Sequence, residues 1–385
     1  MLNFDFYNPT RILFGNGQIA ALPKQIPTGA RVLVVYGGGS IKQNGVFDEV
    51  MAALAGYEVT EFSGVEPNPS YETLMRAIEQ VKAQQIDFLL AVGGGSVIDG
   101  TKFIAAGALL AEDPWTILEK HGANVTMAMP FGVVLTLPAT GSEMNSASVV
   151  TRKATQEKFA FMSRHVYPKF AVLDPSKTYS LPERQVGNGV VDAFAHVMEQ
   201  YMTYPVGAKV QDRFAEGLLL TLIEEGPQAL ADPENYEVRA NVMWTATLAL
   251  NGLIGSGVPQ DWATHMIGHE LTALYHLDHA QTLAVVMPSM LRARKESKRA
   301  KLLQFAERVW NLKGGDDDTR IEAAITRMEA FFSQMGVKTR LSDYGLGATE
   351  IDAVLAVLEK HRMVKLGEHR DVTLEVTRKV LEMAL

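Results

Sequence analysis

The hydrophobic rhythm of the chain changes near its midpoint. In the first half, Arg31–Tyr36 (RVLVVY), Asp87–Val92 (DFLLAV) and Val133–Leu137 (VVLTL) are near-continuous apolar runs, the pattern of strands buried on both faces. Between them, Val46–Ala55 and Tyr71–Gln84 space apolar residues three and four apart with charges in the gaps, which predicts amphipathic helices. Strand and helix in alternation predict a parallel sheet with crossover helices. Lys169–Leu173 (KFAVL), before Asp174-Pro175, predicts a last strand.

From about Leu181 the strand pattern stops. Leu181-Pro182-Glu183 opens a helix, with proline at a tolerated early position. Amphipathic stretches then run to Leu385, broken at Pro205–Gly207, Asp232-Pro233, Gly314–Asp318 and Gly336. The acidic run Asp316–Asp318 is expected to be a solvated loop. No internal repeat interrupts this order. The expectation is two domains: an α/β nucleotide-binding domain over 1–180 with a parallel sheet, and an all-α domain over 181–385.

Composition narrows the chemistry. The 385 residues include no cysteine, which excludes disulfides, thiolate zinc sites, iron–sulfur clusters and a cysteine nucleophile. Any metal must be held by nitrogen and oxygen. Lys and Arg number 36 against 44 Asp and Glu, a net charge of −8, and this balance argues against a nucleic-acid binder. The N-terminus (MLNFDFYNPTRILFGNG) has neither the basic nor the apolar region of a signal peptide. No apolar run approaches the roughly 18 residues of a membrane span. These features predict a cytoplasmic enzyme or binding protein with no membrane partner.

Three strand ends carry candidate ligand-binding turns. Tyr36 is followed by Gly37-Gly38-Gly39-Ser40, and Val92 by Gly93-Gly94-Gly95-Ser96. Consecutive glycines let the backbone approach a phosphate and aim N–H groups at it. Each cluster alone is equally a tight strand-to-helix turn; two at matching strand ends favour phosphate binding. The third strand end, Thr136-Leu137-Pro138-Ala139-Thr140-Gly141-Ser142-Glu143, offers hydroxyls instead, or is a Ser/Thr-rich capped turn. Asp99, in the helix after Gly93–Ser96, is either a nicotinamide or ribose partner or a first-turn acid that favours the helix dipole. No acid follows Tyr36 within its turn, while Ser40 and Lys42 do. An acid there would repel a 2′-phosphate, so this favours NADP(H) over NAD(H).

Four of the nine histidines, His265, His269, His276 and His279, fall within one short stretch. His265 and His269 are i, i+4 and share a helix face. Asp192 and His196 repeat that spacing among apolar neighbours, and a buried carboxylate needs a partner. Taken together with His265-x3-His269-x9-His279, the pair points to an Asp/His site for Zn²⁺ or Fe²⁺. The HMIGHE stretch is no metalloprotease motif, because Met266 stands where the catalytic Glu belongs.

With these residues in place, the chain resembles the iron-activated, group III alcohol dehydrogenases. The specific parts are AVGGGSVIDGTK at 91–102, TLPATGSE at 136–143, Asp192-x3-His196, and His265-x3-His269-x9-His279. Within that family it is similar to the bacterial butanol-dehydrogenase-like, NADPH-dependent aldehyde reductases. The resemblance implies a Rossmann-like domain followed by an all-α metal-binding domain, in a dehydroquinate synthase-like architecture. It implies Asp192, His196, His265 and His279 as ligands of one divalent metal, with His269 lining the substrate site. Gly93–Ser96 would hold the pyrophosphate with Asp99 nearby, and Gly37–Ser40 the adenosine ribose. Thr136, Thr140, Ser142, Asn145, Lys158 and Thr178 would serve the nicotinamide half. NAD-preferring relatives often carry Asp where this chain has Gly39, so Gly39 supports NADP(H). A homodimer is expected from the family.

The activity so implied is hydride transfer between NADP(H) and short-to-medium aldehydes or primary alcohols. The competing expectations are an NAD-linked alcohol dehydrogenase of the same family, a dehydroquinate synthase-like lyase, and a nucleotide-sensing protein without turnover. The apolar neighbours Met198, Trp262, Met266 and Leu274 are expected to shape a pocket for a small apolar aldehyde rather than the polar substrate of the lyase.

Overall fold

The computed structural model describes all residues, Met1–Leu385. By the density of its internal packing the chain divides into two compact units. One comprises Tyr7–Leu181 with Glu234–Met243; the other comprises Met1–Phe6, Pro182–Pro233 and Trp244–Leu385.

The first unit is built on a six-stranded sheet. Its strands are β1 (Arg11–Phe14), β2 (Arg31–Tyr36), β3 (Glu58–Phe62), β4 (Phe88–Gly94), β5 (Phe131–Leu137) and, after a separate two-stranded hairpin of β6 (Ala147–Arg152) and β7 (Glu157–Met162), β8 (Phe170–Leu173). The spatial order is β1-β8-β5-β4-β2-β3, with every neighbouring pair parallel. Alternate residues of the central strands feed two cores. Leu33, Val35, Leu89, Ala91, Val133 and Leu135 pack on one face, and Val32, Val34, Phe88, Leu90, Val92 and Val134 on the other. Burial on both faces is why these strands read as unbroken apolar runs.

Five helices accompany the sheet: α1 (Ser40–Gln43), α2 (Val46–Ala53), α3 (Tyr71–Ala83), α4 (Gly95–Gly107) and α5 (Thr116–Glu119). From β2 the chain moves outward to β3, then returns to place β4 on the other side of β2. This reversal is a topological switch point, where ligands bind beyond the carboxyl ends of the strands. Gly37–Ser40 follows β2, and Gly93–Ser96 spans the end of β4 and the start of α4, so both glycine clusters stand at the switch point.

The second unit is all-helical: α6 (Glu183–Tyr201), α7 (Lys209–Ala231), α8 (Tyr236–Ala249, whose first half packs with the sheet unit), α9 (Ala263–Tyr275), α10 (His279–Ala293), α11 (Lys295–Arg308), α12 (Asp317–Gln334), α13 (Ala348–Lys360) and α14 (Leu374–Met383). From Val186 to Tyr201 only Asn188 of α6 is not buried, which marks α6 as the central helix of the unit. Gly187 permits this, because a Cβ there would collide with the carbonyl oxygen of Met335. Pro182 lies just before α6 as its N-cap, not within it. The expected solvated loop at Asp316–Asp318 is instead a helix start. Asp316 caps α12 by accepting the Thr319 N–H at 3.0 Å, and Asp317 and Asp318 occupy the first turn, where the helix dipole favours acids. No helix is long and apolar enough to cross a membrane.

Candidate active site

Helices α6, α9 and α10 bring four donor side chains together. Asp192 and His196 project from one face of α6, His265 comes from the first turn of α9, and His279 is the first residue of α10. Asp278 and Gln281 form a capping box that fixes the start of α10 and therefore the height of His279. One ligand atom from each of the four residues lies within 4.8 Å of every other. Asp192 Oδ1 is 3.6 Å from His196 Nδ1 and 3.6 Å from His279 Nε2. A tetrahedral ion with bonds of about 2.0–2.2 Å would space its ligand atoms about 3.3–3.6 Å apart.

The chemistry of the donors also fits a metal. Burial, with the neighbouring His265 acting in the same direction, pushes the His196 imidazole down to about 4, against the opposing pull of Asp192. The ring is therefore neutral near pH 7 and presents a lone pair, as a ligand must. His196 Nδ1 is buried and makes no hydrogen bond to protein. One carboxylate and three imidazoles, with no thiolate, suit Fe²⁺ or Zn²⁺.

His269 stands beside this cluster. It lies one helical turn beyond His265, is buried, and has its ring centroid 5.3 Å from that of His279 and 6.3 Å from that of His265. Trp262 meets the cluster from another side, with its ring 5.1 Å from His265 and 6.3 Å from His196. The expected apolar pocket needs correction, since Met198 lines a small cavity with Asp261, Met287 and Lys298, and Leu274 packs on the core shared by α9, α10, α13 and α14. Those two side chains serve the interior of the helical unit. His276, exposed in the left-handed C-cap of α9, stays outside the cluster.

In the sheet unit, the three candidate segments lie at the carboxyl ends of β2, β4 and β5, which are adjacent strands. Gly39 has φ of 98° and caps α1, a conformation that favours glycine. Gly95 serves close approach, because a Cβ there would strike the Thr140 hydroxyl. It lets the turn after β4 touch the turn after β5.

Asp99 is the fifth residue of α4, beyond its first turn. Its Oδ1 accepts from the Ser142 hydroxyl at 2.6 Å and its Oδ2 from the Val149 N–H at 3.0 Å. The Ser142 oxygen in turn accepts from the ammonium of Lys102 at 2.8 Å, which also donates to Asn145 Oδ1 at 2.9 Å and to the Ala147 carbonyl at 2.7 Å. Three acceptors saturate this fully buried ammonium. Burial nevertheless lowers Lys102 to about 8, against the pull of Asp99 and Glu143. The side chains of Asp99, Ser142 and Asn145 thus clamp the 141–149 segment onto α4. Lys102 went unnoticed in the sequence because its partners lie 40 to 45 residues further on.

Lys158 Nζ donates to Asn68 Oδ1 at 2.9 Å, and the buried Thr178 hydroxyl donates to the Pro175 carbonyl at 2.7 Å. Thr136 is buried at the end of β5, and Ser40 is exposed. Lys42 is not freely offered to a phosphate: it pairs with Glu61 Oε2 at 2.8 Å, and the same oxygen accepts from the Tyr36 hydroxyl at 2.7 Å. The turn after Tyr36 contains no acid, but the pairing of β2 with β3 sets Glu61 opposite Val34.

The iron-containing alcohol dehydrogenase family matches residues 9–175, and the C-terminal region of the Fe-containing alcohol dehydrogenase family matches residues 187–385. The chain is 63% identical over 386 residues to the NADPH-dependent aldehyde reductase YqhD of Escherichia coli K12, covering 100% of each. It is 44% identical to a probable NADH-dependent butanol dehydrogenase of Bacillus subtilis, covering 92% of each. The crystal structure of E. coli YqhD superposes with a TM-score of 0.99 at 62% identity, covering 100% of this chain and 99% of that one. With both units matched and the Asp/His cluster formed, this chain belongs to the iron-containing alcohol dehydrogenase family.

Proposed function

We propose that the chain is an NADPH-linked, metal-dependent aldehyde reductase that interconverts small aldehydes and primary alcohols. The observation that carries this reading is the convergence of Asp192, His196, His265 and His279 within 4.8 Å. It is supported by 63% identity to a relative named as an NADPH-dependent aldehyde reductase. An Fe²⁺ or Zn²⁺ ion held by these four residues supplies Lewis acidity toward the carbonyl oxygen and the negative charge that develops on it.

The chain's own residues do the rest. Gly93–Ser96 take the pyrophosphate and Gly37–Ser40 the adenosine ribose. Thr136, Thr140 and Lys158 face the nicotinamide half. Ser142, Asn145 and Asp99 hold the loop that carries that half, and Thr178 braces the turn after β8. Overall, one hydride reaches the carbonyl carbon and one proton reaches the oxygen. That proton comes from His269, whose ring neighbours that of His279, or through ordered water and the ribose hydroxyls. Residues 1–180 form the cofactor domain and 181–385 the metal domain of a cytoplasmic enzyme, where NADPH is available. Met1, Leu2, Phe4 and Phe6, all exposed, fit burial in a homodimer.

A second reading, NADH as the preferred cofactor, is favoured by the Lys42–Glu61 pair, which neutralises the cation nearest the expected 2′-phosphate. Metal analysis of the purified protein, with NADPH and NADH oxidation measured over a short aldehyde series, tests both. The proposal expects one metal per chain and faster aldehyde-dependent loss of NADPH. Faster loss of NADH would favour the second reading, and no loss of either would overturn both.

A further inference from the structure

Helix α6 presents a third polar residue on the face that carries Asp192 and His196. Glu199 lies three residues beyond His196 and seven beyond Asp192, so the three share one stripe. Its carboxylate is buried, and every donor it meets belongs to the start of α9. Oε1 accepts from the Thr264 N–H at 2.8 Å and Oε2 from the His265 N–H at 3.1 Å. The same Oε2 lies against Nδ1 of the His265 ring.

Helix α9 needs this outside help. Trp262, the residue before its first turn, has φ of 64° and caps nothing with its side chain. The first N–H groups of a helix lack intrahelical acceptors, and at α9 a carboxylate from a neighbouring helix supplies them. A proton on His265 Nδ1, donated to Glu199, leaves Nε2 as the ring's lone-pair donor. The loop entering α9 is tied to the same point. Asp261 N–H donates to the Glu199 carbonyl at 3.0 Å, and Asp261 Oδ1 accepts from the Ala263 N–H at 3.0 Å. Its Oδ2 meets the buried ammonium of Lys298 at 2.6 Å, and Lys298 also holds Glu368 at 2.7 Å.

We propose that Glu199 is the positioning residue of the metal centre: without ligating the ion, it fixes the tautomer and ring orientation of His265 together with the start of α9, and so sets metal affinity. The inference rests on the metal reading above. Its chemistry is specific to a carboxylate. In Glu199→Gln one oxygen becomes an NH₂ group. That group must face either the Thr264 N–H or the His265 donors, so donor meets donor at one end. Relief at the ring requires His265 to move its proton to Nε2, which removes the lone pair a metal would use.

The test compares wild type and E199Q for Zn²⁺ affinity by chelator competition and for the visible spectrum of the Co²⁺-substituted protein. Far-UV circular dichroism serves as the folding control. The expected result is a folded E199Q whose Zn²⁺ affinity falls about 10–100-fold, with an altered Co²⁺ spectrum and turnover largely restored by excess metal. A folded E199Q with wild-type affinity and spectrum would overturn the proposal. Wild-type protein that takes up no Zn²⁺ would instead overturn the metal reading beneath it. Should E199Q fail to fold, nitrogen-15 histidine spectra of Zn²⁺-loaded wild type decide: a proton on His265 Nδ1 supports the assignment, and a proton on Nε2 contradicts it.

Discussion

His269 and the four candidate ligands are chemically alike, so residue identity alone does not separate them; position does. His269 lies outside the group whose donor atoms converge. His269→Ala should therefore lower turnover about 10²-fold or more, the range of a lost general acid, while one metal per chain is retained by elemental analysis. Metal lost in proportion to activity would make His269 a ligand. Glu61 sets a second expectation. The Lys42 ammonium and Tyr36 hydroxyl hold the Glu61 carboxyl below its usual range, so it is ionised near pH 7. Glu61→Gln should release Lys42 and raise the ratio of NADPH to NADH efficiency several-fold, and an unchanged ratio would remove Lys42 from cofactor selection. Lys102 makes a pH prediction. Folded Lys102 releases its proton near pH 8, against 10.5 for an ordinary lysine. Below pH 8 both states are protonated and the cost of burying the charge is fully present. Between those values the unfolded chain binds more protons at this site, so its contribution to stability rises with pH, by on the order of 3 kcal/mol. Urea unfolding at several pH values should show this rise in wild type and not in Lys102→Met. The candidate cluster was legible because Asp192/His196 and His265/His269 each declare a helix face. Glu61, Lys102 and Glu199 were not, because they meet partners 19, 43 and 66 residues away in the chain.

Among the elements, β2, β4 and β5 announced themselves because both faces of each are covered, so nearly every position is apolar. The edges did not: β3 reads Glu-Val-Thr-Glu-Phe and only its last residue is buried, while β1 is a four-residue edge strand with none buried. The hairpin β6–β7 also escaped, since its mixed polar sequence follows from alternation with one covered face. The helical half was legible as helix but not as arrangement, because amphipathic spacing states which face is apolar and not what covers it. At this scale the turn after β4 makes the sharpest prediction. Gly95→Ala places a methyl group into the Thr140 hydroxyl and should separate the turns after β4 and β5. NADPH affinity, followed by its fluorescence on binding, should fall about tenfold or more while metal affinity stays at the wild-type value. Unchanged NADPH affinity would mean that these turns do not share a ligand.

At the scale of the molecule, absence of cysteine and a net charge of −8 left nitrogen and oxygen as candidate metal donors and local glycine turns as candidate phosphate donors. Family membership accounts for both in one enzyme. The two packing units were only partly legible. The change of rhythm near Leu181 falls at a unit boundary, but the assignment of Met1–Phe6 to the helical unit and of Glu234–Met243 to the sheet unit depends on packing alone. A metal held by Asp192, His196, His265 and His279 would join three helices of one unit, so its removal should destabilise that unit. A ligand at 100 times its Kd contributes about 2.7 kcal/mol, and chelator-treated protein should unfold at correspondingly lower urea. The most direct test of the central claim is reconstitution of the chelator-treated enzyme. Zn²⁺ or Fe²⁺ is titrated back while aldehyde-dependent loss of NADPH absorbance is followed. The account predicts negligible activity without metal, rising linearly to a plateau at one ion per chain, and no such rise in Asp192→Asn. Full activity in the metal-free enzyme, or equal reconstitution of Asp192→Asn, would contradict it.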